Sequence, residues 1–382
     1  VRFSGLARYE RTLAGLERKG RARTLIGQSG IDFTSNDYLG LAQSERLRNA
    51  IAEAIERGVA IGAGGSRLLR GNHGEHAALE EQAAAYFGTE RVVYFGSGYA
   101  ANVAVFSTLP QRGDIIVHDG LIHASAHEGI AASKARAISV THNDAAAFDE
   151  AIRRWRRSGG TGRAWIAVES LYSMDGDRAP LAQLVSVANA HDAFLVVDEA
   201  HATGVFGPGG RGFSAGLEAQ DNVIVLHTCG KALGVAGALL CASAVICDYL
   251  VNRARGFIYS TAPSPLMAAA VGESLRILQD EPQRRAELDK LRAFANGALA
   301  AATGAKGNGS QILPVMIGDN ARAVAIAAHM RDQGFDIRAI RPPTVPEKTA
   351  RLRIAITLNV DCSMVSSMFE QLAAVLTEEE RS

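Results

Sequence analysis

The chain is poor in cysteine, in lysine and in net charge. Its four cysteines, Cys229, Cys241, Cys247 and Cys362, form no CxxC pair and no metal-ligand spacing. This argues against a disulfide scaffold and a metal site, and fits thiols kept reduced in the cytosol. Formal net charge is zero, with 40 basic residues against 40 acidic ones. There is no basic stripe or acidic tail, so nucleic acid and an anionic membrane surface are poor partners. No apolar run is long enough to span a bilayer and no signal peptide is evident at the amino end, so a soluble cytoplasmic protein is expected.

Arginine supplies most of the positive charge. Of the lysines at 19, 134, 231, 290, 306 and 348, only Lys231 sits among small and apolar residues, in Val223–Gly237 (VIVLHTCGKALGVAG). The β-branched run Val223–Leu226 suits a strand buried on both faces. A lysine in the turn beyond it is partly desolvated, which favours the neutral, nucleophilic amine. The competing reading is a surface lysine at a strand end. Context comes from upstream, where the run Phe194–Val197 delivers Asp198-Glu199-Ala200-His201 at its carboxyl end. Ligands of open α/β sheets bind at the carboxyl ends of the strands, so Asp198 and Lys231 are expected to face one crevice. An aspartate, a lysine and a Thr/Gly turn are the parts a pyridoxal phosphate (PLP) site needs. The lysine holds the aldehyde as a Schiff base, and the aspartate keeps the pyridine nitrogen protonated.

Abundant glycine (39 residues) and alternating apolar runs predict an α/β fold with a mostly parallel sheet flanked by helices. Strands are expected at Arg91–Phe95, Ile115–Val117, Ala137–Val140, Trp165–Val168, Phe194–Val197, Val223–Leu226 and Ala238–Cys241. The pattern divides the chain into an amino-terminal helical segment (1–45), a large α/β domain (46–280) and a small carboxy-terminal α+β domain (281–382). Arg8–Thr24 is expected to be an exposed helix, Gly204–Gly212 a mobile loop and Arg255–Pro265 irregular. The junction Gly96–Asn102, a strand followed by glycines and a helix start, suits a phosphate. Tyr99 either stacks on a ring or caps that helix. Arg351 and Arg353 share one strand face and suit either a carboxylate or an exposed salt bridge.

Taken in order, FTSNDYLGL (Phe33–Leu41), GGSRLLRGNH (Gly64–His73), GSGYAAN (Gly96–Asn102), HAS (His123–Ser125), SMDGD (Ser173–Asp177), VVDEAH (Val196–His201), TCGKALG (Thr228–Gly234), RPPTVP (Arg341–Pro346) and ARLR (Ala350–Arg353) resemble the α-oxoamine synthases. These are fold-type I PLP-dependent enzymes, and the resemblance covers nearly the whole chain. It implies that Lys231 forms the Schiff base, Asp198 pairs with the pyridine nitrogen, His201 bonds the phenolic oxygen and His123 stacks on the ring. Gly98, Tyr99 and Thr228 would hold the phosphate side, with Ser173 near the ring. Ser260 and Thr261 would reach the phosphate of the partner subunit in a homodimer. Asn36 and Arg353 would clamp the amino-acid carboxylate, with Arg341 and Thr344 nearby, and Arg21 or Arg23 would contact the acyl substrate.

The implied reaction is a decarboxylative condensation of L-alanine with a pimeloyl thioester, carried on CoA or an acyl-carrier protein, in biotin biosynthesis. Glycine with a short acyl-CoA, serine with a long one, an aminotransferase, and a non-catalytic PLP-binding protein are the alternatives. Two positions depart from the pattern. His227-Thr-Cys229 precedes the lysine where a smaller or more apolar pair is common, and Gly74 replaces a proline.

Overall fold

The computed structural model describes residues 4–380. The chain forms two compact units. One holds residues 4–35, Met174–Gly176 and residues 287–380; the other holds Asn36–Ser173 and Asp177–Ala286.

The larger unit is built on seven strands: β1 (Arg91–Phe95), β2 (Ile115–Asp119), β3 (Arg136–Val140), β4 (Ala164–Glu169), β5 (Phe194–Asp198), β6 (Val223–Thr228) and β7 (Ala238–Ala242). Their order in the sheet is β1-β7-β6-β5-β4-β2-β3. From β6 to β3 the neighbours are parallel, as the alternation of strands and helices predicts. The exception is β7, antiparallel to both β1 and β6. The link Cys229–Gly237 is too short for the crossover a parallel pair requires, which takes about a dozen residues.

Both sheet faces are covered, which explains the near-continuous apolar runs. Val93, Phe95, Ile116, Trp165, Val196, Ile224 and Leu240 pack with Val105 and Phe106 of the helix Gly98–Thr108 and Leu250 of the helix Ala244–Arg253. The intervening Val92, Ile115, Val117, Ile166, Leu195, Val197, Val223 and Val225 are equally buried. The turn that carries Lys231 depends on Gly234. Its φ is +67°, and a Cβ there would lie 2.6 Å from the Ala42 nitrogen and the Leu41 carbonyl carbon. Only glycine meets both conditions.

In the smaller unit, β8 (Ile312–Gly318), β9 (Arg338–Ile340) and β10 (Ala350–Ala355) form an antiparallel sheet in the order β9-β10-β8. The amino-terminal segment belongs to this unit: Ile31–Asp32 pairs with Phe335–Asp336, and the Ala355 amide donates to the Phe33 carbonyl at 2.8 Å. The loop tip at Asp175 and Gly176 packs here too. Arg351 pairs with Asp175, and Asn308 Nδ2 donates to the Asp175 carbonyl at 2.7 Å.

Several expectations need correction. The first helix spans Ala7–Arg18, not Arg8–Thr24, because the chain turns at Gly20, where φ is +61°. Arg255–Ile258 is a short helix rather than irregular chain. Phe335–Asp336 and Arg338–Ile340 join different sheets. The glycine loop after β5 folds back on itself: the Gly204 amide donates to the Gly210 carbonyl, the Gly212 amide donates to the Phe206 carbonyl, and Val205 and Phe206 are buried. Such pinning is not what a mobile loop shows. Among the described residues, no helix is long and apolar enough to cross a membrane.

Candidate active site

Parallel pairing fixes which strand ends adjoin. Glu169 of β4 lies opposite Asp198 of β5, and Asp198 lies opposite Leu226 of β6. The carboxyl ends of three strands therefore place Glu169, Asp198 and, just past β6, Lys231 on one rim. Lys231 is half-buried, while Cys229, Ala232 and Leu233 around it are fully buried. Its Nζ lies 2.8 Å from His201 Nε2. Burial pushes the Cys229 thiol far above its ordinary range, which keeps it protonated and a packing residue.

Asp198 is held as an acceptor from two sides. Its Oδ1 accepts from the Ala200 amide at 2.9 Å and its Oδ2 from Asn102 Nδ2 at 2.8 Å. Asn102 Nδ2 also lies 3.0 Å from Ser125 Oγ, which lies 2.8 Å from His123 Nδ1. One chain of polar contacts thus joins Asp198 to His123. His123 starts the helix Ala124–Ala131, its Nδ1 accepting from the Ser125 amide at 3.2 Å. Its imidazole is held below the ordinary range by desolvation, then by Lys231, against the pull of Asp198.

The phosphate side is the amino end of the helix Gly98–Thr108. Ser97, not Tyr99, caps it, accepting from the Ala100 amide at 3.1 Å. A Cβ on Gly98 would come within 3.4 Å of Thr228 Oγ1, so glycine keeps open the space between the helix end and that hydroxyl. Tyr99 is exposed, bonds Glu128 through its hydroxyl and meets His123 edge-on, with ring centroids 6.5 Å apart. Ser173 is buried, its amide donating to Glu169 Oε2 at 3.1 Å. Ser260 and Thr261 are exposed.

Sequence reading missed Asn102, Tyr38 and Glu169 as site residues. Asn102 lies one helical turn past Gly98, so the motif GSGYAAN held a signal for it. Tyr38 reaches His201 with its hydroxyl, at 2.6 Å from Nδ1. Glu169 is buried, its Oε1 makes no hydrogen bond, and burial next to Asp198 pushes its carboxyl up to about 8.

The donor set fits PLP. There is an amine for the aldehyde, a doubly hydrogen-bonded carboxylate for the pyridine nitrogen, and a glycine-opened helix end with a threonine hydroxyl for the phosphate.

In the smaller unit, Arg23 Nη2 donates to Thr344 Oγ1 at 3.2 Å, and Arg341 donates to the Gly20 carbonyl at 2.5 Å. Proximity to Arg23 is one cause that lowers the Arg341 pKa, after desolvation. Arg21 instead pairs with Glu347 at 2.5 Å. Of the two amino-terminal arginines, Arg23 is the one grouped with Thr344 and Arg341. Arg353 is buried in the middle of β10, opposite Arg338.

The loop bearing Ser173 is clamped by His142, which lies between two carboxylates: Nδ1 at 2.8 Å from Asp119 and Nε2 at 2.7 Å from Asp177. Both ring nitrogens face acceptors, so the imidazole carries both protons, and its pKa is raised to about 10 against the cost of burial. A raised folded-state pKa contributes stability fully below the ordinary 6.5 and loses it as pH rises through about 10. Glu169 and Glu199, pushed up to about 8 and about 7 by burial, act in the same direction from lower pH. Tm should therefore fall between about pH 6.5 and 10, and His142→Gln should flatten that limb. Equal slopes in wild type and variant across those melts would show that His142 contributes nothing.

Residues 28–369 match the aminotransferase class I and II family. The chain is 41% identical to the 8-amino-7-oxononanoate synthase of Marinobacter nauticus, covering 93% of this chain and 89% of that protein. It is 42% identical to the synthase of the same name from Chromobacterium violaceum, over 92% and 91%. A serine palmitoyltransferase from S. paucimobilis with a bound PLP-myriocin aldimine superposes with a TM-score of 0.88 at 25% identity, covering 97% of both chains. The 8-amino-7-oxononanoate synthase of Francisella tularensis superposes with a TM-score of 0.77 at 28% identity, covering 92% of this chain and 99% of that one.

Proposed function

We infer the reaction from kinship: the chain belongs to the aminotransferase class I and II family and, within it, to the 8-amino-7-oxononanoate synthases, with the fold-type I architecture of PLP-dependent enzymes. It is a PLP-dependent acyltransferase of biotin biosynthesis. Its substrates are L-alanine and a pimeloyl thioester. The alanine α-carbon gives up its proton and bonds to the acyl carbonyl carbon, the carbon–sulfur bond breaks and the thiolate takes up a proton to leave as the carrier thiol, and the carboxylate leaves as CO2 with a proton taking its place on the α-carbon. The reading is carried by the lysine, histidine and aspartate on adjoining strand ends, in a chain 41% identical to such a synthase over 93% of its length.

PLP, when bound, supplies an electron sink that lets the α-carbon of alanine bear negative charge. Lys231 would hold its aldehyde, Asp198 its ring nitrogen, His201 its phenolic oxygen, His123 and Ser173 its ring, and Gly98, Tyr99 and Thr228 its phosphate. The Lys231 amine, once free, takes the α-proton at Nζ as a general base. The Ala200 amide and Asn102 Nδ2 hold the Asp198 carboxylate in place, and His123 polarises the thioester carbonyl. Asn36 and Arg353 are assigned to the amino-acid carboxylate, which an arginine fork matches in geometry. Arg23, Arg341 and Thr344 are assigned to the acyl substrate.

The protein works as a homodimer in this reading. The segment after Ser260 and Thr261 is tied to the glycine-rich segment, the Ala262 amide donating to the Gly65 carbonyl at 2.8 Å and the Ser264 hydroxyl to the Ile61 carbonyl at 2.6 Å, and a second copy of the chain would cover the exposed Ile61, Leu68, Leu69 and Tyr259.

Supplying the PLP-loaded protein with alanine, glycine or serine, each with pimeloyl-CoA or palmitoyl-CoA, tests the assignment by product mass and thiol release. Alanine with pimeloyl-CoA is expected to dominate. A second reading, serine with a long acyl thioester, is favoured by the higher TM-score to serine palmitoyltransferase, 0.88 against 0.77. Turnover confined to serine and palmitoyl-CoA would move the assignment there.

A further inference from the structure

We propose that Tyr38 is a positioning residue: it orients His201 so that the Nε2 lone pair faces Lys231 and receives a proton from Nζ. The proposal rests on Lys231 being the reactive amine.

Four residues, Asn36, Tyr38, His201 and Lys231, share their protons in one line. Tyr38 is fully buried, its hydroxyl 3.0 Å from Asn36 Oδ1 and 2.6 Å from His201 Nδ1. An amide oxygen has no proton to give, so the hydroxyl donates to Asn36. With that proton committed, the phenolic oxygen accepts from His201, and Nδ1 carries a hydrogen. The neutral ring then presents a lone pair at Nε2, 2.8 Å from Lys231 Nζ. The partner of one ring nitrogen sets the state of the other. When the ammonium of Lys231 gives up a proton, the N–H bond breaks, the proton bonds to Nε2, and the resulting imidazolium is held at Nδ1 by Tyr38. The order is that of a nucleophile, its base and the group that orients the base.

The sequence motif FTSNDYLGL supplies both Asn36 and Tyr38, and the motif VVDEAH supplies His201. Lys231 also interacts electrostatically with His123 and Glu169, and Asp198 interacts with both of these. They stay the same in the variants below, so a shift between proteins reports the chain through Tyr38.

The test uses cofactor-free protein. Pyridoxal, which lacks the phosphate, is reduced onto lysine with borohydride from pH 6 to 10, and Lys231 is read by peptide mass against the other lysines. In Tyr38→Phe the ring is free to carry its hydrogen at Nε2 and donate it to the amine. That favours the neutral amine but ties up its lone pair. The labelling midpoint should move down by about one pH unit and the plateau rate should drop severalfold. Asn36→Ala keeps Tyr38 in place but removes the acceptor that fixes its proton, so it should shift the midpoint the same way. A role of Tyr38 in packing alone predicts no change in Asn36→Ala. Labelling curves in both variants that coincide with wild type would overturn the proposal. If Tyr38→Phe does not fold, the Asn36→Ala curve decides alone. Wild-type protein in which Lys231 takes no label while other lysines do would instead refute the reading of Lys231.

Discussion

Lys231→Ala protein should fold, load PLP and bind alanine, yet turn over at least about 10³-fold more slowly than wild type. Folding should survive because the side chain contributes little to the core. Cys229, Ala232 and Leu233 anchor the turn and Gly234 shapes it, none of which the substitution touches. What disappears is the amine 2.8 Å from His201 Nε2, the group assigned to hold the aldehyde and remove the α-proton. No neighbour replaces it. His201 is committed to Tyr38 and Lys231, and Cys229 is buried with its thiol pushed far up. A small primary amine added to the medium should restore part of the rate, because the recess left by the side chain opens on the site. Thiol release from pimeloyl-CoA measures the effect, with cofactor loading checked by absorbance. Activity within tenfold of wild type would remove Lys231 from the mechanism.

The sequence carried the lysine, the aspartate and both site histidines because each follows a recognisable apolar strand run, and strand carboxyl ends gather at one rim. It did not carry their supports. Tyr38 meets His201 across 163 positions and Asn102 meets Asp198 across 96, and no local pattern announces such pairs. The antiparallel course of β7 is legible only in the shortness of Cys229–Gly237, which the apolar run itself does not reveal. The end of the first helix is hidden in the sequence because its charged composition continues past Gly20, where the backbone turns. His142 stands in the link between β3 and the helix Ala145–Arg157, and nothing in its local sequence marks it. Its meaning depends on Asp119 and Asp177 arriving from two other connections. Segments were therefore readable from periodicity, whereas hydrogen bonds between distant segments needed the fold.

Asp198→Asn should lower kcat by about 10²- to 10⁴-fold and leave KM for alanine within a few-fold, since the aspartate is assigned to the cofactor ring and not to the substrate. The physical cause has two parts. In the role assigned to Asp198, losing the carboxylate charge would remove what keeps a proton on the pyridine nitrogen, and the ring would withdraw electrons less well. The amide also has one acceptor where the carboxylate has two. Oδ1 of Asp198 accepts from the Ala200 amide and Oδ2 from Asn102. If the new amide oxygen keeps the Ala200 bond, its NH2 faces the NH2 of Asn102. Asn102 must then turn its oxygen inward and give up the donation to Ser125, which contacts His123 Nδ1. The substitution therefore disturbs His123 as well, and mispairing these buried groups should cost about 1–3 kcal/mol of stability. Asn102→Leu separates the two causes. It removes the donor but keeps the charge, so its loss in kcat should stay near tenfold. Asp198→Glu keeps the charge but displaces it along the strand end, and should recover part of the activity that asparagine loses. If Asp198→Asn keeps more than a tenth of wild-type kcat, the charge at this strand end is not what the reaction uses. If Asn102→Leu instead loses as much as Asp198→Asn, the hydrogen-bond chain to His123, and not the carboxylate charge, limits the rate.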